Sequence, residues 1–217
     1  MFRVILSSQW RESRLAVLLL AGLALAFPFL SMRGAASSSD PWSAWDLLRA
    51  STTWSTSYPV VAIAAALALA AGAWLPDRRG KHIYALTLPV SRSHYLLLRF
   101  AAGLLLLLGI GAVLGLSTGV AAARTPLPPL LHAYPLGLTL RFCLAGASAY
   151  TMLFTLSGLT ARAARLIVAA SLVLIILAVG ADLLNLKWNP LVVILDAMFG
   201  PYSPLTVFRA RWMLIDV

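Results

Sequence analysis

The sequence predicts an all-α, polytopic helical membrane protein, and three observations carry that prediction. Hydrophobic residues make up 61% of the 217 positions and charged residues only 11%, whereas soluble domains carry roughly a quarter charged residues. Apolar runs of about twenty residues recur along the chain, each long enough to cross a bilayer as a helix. The basic residues behind the net charge of +10 gather between those runs rather than within them. In a membrane protein, orientation and anionic headgroups account for such a charge, so no nucleic-acid partner is expected. A lone Cys143 in an apolar run excludes an internal disulfide and a cysteine metal site.

Residues 1–14 (MFRVILSSQWRESR) mix Phe2, Val4, Ile5, Leu6 and Trp10 with Arg3, Arg11, Glu12 and Arg14. This pattern predicts an interfacial helix lying flat, with Trp10 at headgroup depth. The first apolar run is longer than a typical signal core and ends in the bulky Phe27, Pro28 and Phe29, so it is expected to stay as a span rather than be removed as a leader. That span covers 15–32, about 27 Å of helix, with Pro28 close enough to its end to disturb only the last turn. A polar connection follows, holding Trp42, Trp45 and Trp54, which reads as an interfacial aromatic belt. The second span, 58–75, is Ala-rich and expected to end at Pro76.

Between Pro76 and Arg99 lies the most basic stretch of the chain, with Arg78, Arg79, Lys81, Arg92 and Arg99 against the single acid Asp77. The bias of Lys and Arg toward the cytoplasm places this elbow inside. Pro89 lacks an amide hydrogen and interrupts any helix there. Ser91 is expected to cap the helix that follows. The third span, 100–121, carries Gly111, Gly115 and Gly119 at every fourth position. Helices in lipid associate by close packing, so this strip predicts a helix contact, within one subunit or between two. After a Pro-rich connection comes the fourth span, 136–157. Its Ser148, Thr151 and Thr155 share one face and serve either helix packing or a polar path. A short turn with Arg162 and Arg165 leads into the fifth span, 166–184. Asp182, the acid nearest membrane depth, sits beside Asn185 and Lys187 and reads as interfacial.

The charge distribution orients the whole. With the N-terminus inside, the internal segments hold Arg3, Arg11, Arg14, the elbow's basic residues, Arg162 and Arg165. The external connections hold Arg33, Arg49, Arg124 and Lys187, joined by Arg141 if it lies outside. The bias favours this topology. Residues 189–217 are too short and too broken by Asp196, Gly200, Pro201 and Pro204 to span, and predict a re-entrant or interfacial segment.

No catalytic constellation is present in the sequence. Gly80-Lys81-His82 lacks the first glycine and the hydroxyl of a P-loop. His82 and His94 lie apart in the elbow, and His132 falls across the membrane from them, so no metal site is expected. No cofactor is expected in this chain.

The order of elements and the loop Leu88-Pro89-Val90-Ser91-Arg92, preceded by Asp77 and Gly80, resemble the membrane subunits of type-2 ABC exporters. That resemblance implies a permease of the bacterial-type cytoplasmic (inner) membrane that forms a homodimer or heterodimer. It also implies a separate ATP-binding cassette ATPase, which would bind the ATP. The elbow, through Arg78, Arg79, Lys81, His82, Pro89 and Arg92, would be the coupling segment that docks on this ATPase, and residues 1–14 the connecting helix. Members of the family usually have six spans with a re-entrant pair between the fifth and sixth, a pair that residues 189–217 would match. Lipid, drug, peptide and polysaccharide all remain open as cargo. Two other classes stand beside this one. One is a non-transporting accessory or structural subunit of a larger membrane complex. The other is a secondary transporter, disfavoured by the scarcity of charge within the spans.

Overall fold

The computed structural model describes residues 2–32, 46–49, 57–79, 91–125, 127, 131–158, 166, 169–170, 173–174, 176–177, 180, 189–199 and 213–215. Four long helices dominate: α1 (Phe2–Met32), α2 (Ser57–Arg79), α3 (Arg92–Arg124) and α4 (Pro135–Ser157). All four are long and apolar enough to cross a membrane. A three-residue strand β1 (Leu131–Ala133) precedes α4, and α5 (Pro190–Phe199) and β2 (Met213–Ile215) follow it. The fifth expected span is described only at Leu166, Ala169, Ala170, Val173, Leu174, Ile176, Leu177 and Gly180, all of them helical.

Contacts between the helices set their directions. Gln9 meets Leu69 near one end of α1, and Phe27 meets Tyr58 near the other, so α1 and α2 run antiparallel. Ser117 reaches Ala24 and Thr125 reaches Met32, so α1 and α3 run parallel. Gly115 abuts Thr139, and Gly103 abuts Tyr150, which makes α3 and α4 antiparallel. The outcome is a four-helix bundle in which α1 and α4 lie diagonally opposite and barely meet. α2 is the most enclosed member, with 50% of its apolar window buried against 28% for α4. Its buried stripe, Tyr58, Val61, Ala62, Ala65, Ala66, Leu69, Ala70 and Ala73, follows the helical repeat with small side chains that let α1 and α4 close in.

Three boundaries differ from the sequence reading. α1 passes through Arg14 without a break, and Gln9 and Ser13 share one buried stripe with Val17, Leu20 and Ala24. The separate flat helix expected over 1–14 is therefore the opening of α1 itself. α2 continues through Pro76 to Arg79 instead of ending at the proline. Ser91 does precede α3, with φ −61° and ψ 142°, but its hydroxyl makes no capping bond. It lies 3.5 Å from Ser93 Oγ instead.

Pro28 sits inside α1 and has no N–H for the carbonyl of Ala24, four residues back. Ser117 Oγ of α3 reaches that carbonyl at 3.1 Å, sharing its proton with Leu114 O of its own helix at 2.9 Å. A backbone acceptor freed by proline is thus satisfied by a neighbouring helix, as burial in lipid requires.

At the end of the bundle remote from the elbow, β1 pairs antiparallel with β2, His132 opposite Leu214. Leu131 and Met213 of this ribbon are buried with the helix core, as are Leu47 and Leu48 of the short helical stretch at 46–49. α5 has ten residues, about 15 Å of helix and too short to span. Asn189 Oδ1 accepts from Val192 N across its first turn at 3.4 Å.

Candidate functional site

The elbow's two feet are α2 and α3. Arg78 and Arg79 fall on the last turn of α2 and Arg92 opens α3. Lys81, His82 and Pro89 lie outside the described residues. At a rise of 1.5 Å per residue, α3 is about 50 Å long, well beyond the bilayer's apolar thickness of about 30 Å.

Just above the feet, side chains from all four helices converge. Arg99, about two turns into α3, is 5% exposed. Its Nη1 donates to Tyr95 Oη at 2.7 Å, a contact the i, i+4 spacing makes available. Its guanidinium lies 5.3 Å from the Tyr95 ring centre and 5.8 Å from the Trp74 ring centre on α2, within cation–π range. Trp74 in turn packs on α4. Its ring centre is 5.3 Å from that of Phe154, and its Nε1 donates to Phe154 O at 3.1 Å. Gly158, which ends α4 at φ −84°, is glycine for room rather than for conformation. A Cβ there would overlap the six-membered ring of Trp74. Phe100 of α3 stacks on Tyr150 of α4 with centroids 5.3 Å apart and meets Phe154 edge-on.

α1 enters the same cluster through Gln9. Its Nε2 donates to Leu69 O of α2 at 3.4 Å, and the Tyr150 hydroxyl and the Gln9 amide both lie against Gly103. Gln9 Oε1 and Tyr150 Oη are buried with no hydrogen-bond partner among the described residues. The absent Cβ of Gly103 is what lets the diagonal helices α1 and α4 meet here.

The remaining expected site residues lie elsewhere. Gly111 packs against Cys143 Sγ, and Gly115 against Thr139, both on α4, whereas Gly119 faces open space. Ser148, Thr151 and Thr155 return their hydroxyls to Leu144 O, Ala147 O and Thr151 O of their own helix. Thr151 and Thr155 are exposed, on the side of α4 turned away from the other three long helices. No group of three or more His, Cys, Asp or Glu occurs among the described residues.

No family model, no curated protein and no solved structure matches the chain. Its own residues carry the functional reading. Of the convergent cluster, the sequence reading singled out Arg99 alone, as part of the basic elbow. Gln9, Trp74, Tyr95, Phe100, Tyr150 and Gly103 were missed. Tyr95-x-x-x-Arg99 was a legible signal, since that spacing puts both side chains on one face.

Proposed function

We propose that this chain is the membrane-spanning permease subunit of an ATP-driven exporter, coupled through residues 76–99 to a separate ATPase subunit. The observation that carries this reading is the mounting of the elbow. A short connection, residues 80–91, carrying Lys81 and flanked by Arg78, Arg79 and Arg92, joins two helices that both extend past their apolar stretches. Such arms transmit a displacement with little bending, because each helix keeps its own hydrogen bonds. The positive charge places the elbow on the cytoplasmic face, where a nucleotide-hydrolysing partner would act. ATP binding to that partner would favour one arrangement of the helices over another in proportion to its differential affinity for the two.

The test replaces Arg79 and Arg92 with Glu together and isolates the protein gently from its native membrane. The unsubstituted chain should bring with it a P-loop ATPase in equal amount. The double variant should insert normally yet lose that partner or lose ATP-driven transport. An assembly with no nucleotide-binding subunit would instead assign the chain an accessory role.

A further inference from the structure

The elbow can pass its motion on only through side chains that tie its feet to helices it does not belong to. We propose that Trp74 and Arg99 form a coupling clasp, transmitting displacement of the elbow to α4; this inference rests on the exporter reading above.

The clasp has a direction. Arg99 stands on α3, at the far limit of the elbow, and Trp74 on α2, just before its near limit, so the cation–π contact at 5.8 Å links the two feet. Trp74 also reaches the end of α4, through the ring contact with Phe154, the hydrogen bond to Phe154 O and the seat on Gly158. The clasp therefore ends on the last turn of α4, after which the sequence holds Arg162 and Arg165.

Its parts have shapes suited to transmission. A planar guanidinium between two aromatic rings holds its orientation better than an ammonium on a flexible stem. An indole N–H aimed at a carbonyl fixes the rotation of the ring as well as its distance. Phe154 O keeps a second donor, Gly158 N at 3.1 Å, so loss of the indole N–H leaves no orphaned acceptor. The fold therefore tolerates Trp74→Phe, which removes the directional bond and retains an aromatic ring.

The experiment uses the full chain with the ATPase subunit that accompanies it, in lipid nanodiscs and in a Cys143→Ala background. Spin labels at Ser93→Cys and at Leu156→Cys are each measured against a reference label at Leu30→Cys, before and after trapping with ATP and orthovanadate. In the otherwise unsubstituted chain, both distances should change on trapping. In Trp74→Phe the change at 93 should persist, while the displaced population read at 156 should fall at least about twofold, the lower end of measured coupling changes. Arg99→Lys, which keeps the charge, should give the same split. If 156 responds fully in both variants, the cluster is packing alone and the clasp is overturned. If 93 does not move in the unsubstituted complex, or no ATPase accompanies the chain, the exporter reading fails first and takes the clasp with it.

Discussion

Pro28 and Ser117 show how a single residue in one helix sets a requirement on another. Removing the hydroxyl with Ser117→Ala leaves Ala24 O with neither of its donors, a cost of about 1–3 kcal/mol for a buried polar group. Restoring the amide with Pro28→Ala should abolish most of that cost. A double-mutant cycle in thermal or denaturant unfolding should therefore be non-additive, and additive values would reject the shared carbonyl. The glycines make a second contrast at this scale. Gly103→Ala drives a methyl into the Tyr150 hydroxyl and the Gln9 amide and should destabilise by about 1–3 kcal/mol, as overpacking does. Gly119→Ala meets nothing within 4 Å and should stay within about 0.5 kcal/mol. Equal effects at the two positions would contradict the packing described.

At the scale of elements, the helices were legible and their faces were not. Apolar length alone found the four long helices, because in lipid a run such as Leu104–Leu108 needs no other signal. The bounds of α2 and α4 lie within four residues of the expected spans, whereas α1 opens thirteen and α3 eight residues before theirs. Which side of such a run is buried cannot be read from hydropathy when every side is apolar. The inward stripe of α2 shows itself in small residues instead of hydrophobic ones. The same logic explains the partial success of the glycine strip: Gly111 and Gly115 meet α4, and Gly119 does not. Gly103, eight residues before the strip and in register with it, makes the closest approach. α1 misled for another reason. Its first turns look interfacial by composition, yet Gln9 and Ser13 fall on the stripe that Val17 and Leu20 continue. The Pro28–Ser117 pairing had no local signature, since its partners sit on different helices. A cysteine at exposed Ser93 tests the proposed orientation of the elbow. It should react with a membrane-impermeant thiol reagent in inverted vesicles and not in intact cells; the reverse pattern would turn the elbow outward.

For the molecule as a whole, the two ends of the bundle differ in kind. The elbow end joins the four helices through Gln9, Trp74, Arg99 and Tyr150, a set of polar and aromatic groups. The other end is closed by apolar side chains, with Leu47, Leu48, Leu131 and Met213 all buried. Between them, the outward faces carry Leu18, Leu19, Leu67, Leu116, Leu140 and Leu144, all well exposed, as a surface solvated by lipid tails demands. The ribbon register gives a direct check of the closed end. Partners across an antiparallel pair have Cα atoms about 4.5–5.5 Å apart, within the span of a disulfide. His132→Cys with Leu214→Cys, in a Cys143→Ala background, should cross-link under mild oxidation.

The ribbon also imposes an order on synthesis. β1 is made before α4, but its partner strand at 213–215 emerges only after everything from Pro135 to Phe199 has left the ribosome. At about 5–20 residues per second, Leu131 waits on the order of ten seconds without the neighbour that covers it. The nascent protein thus passes through a stage in which all four long helices have been made while Leu131 still lacks the strand that pairs with it.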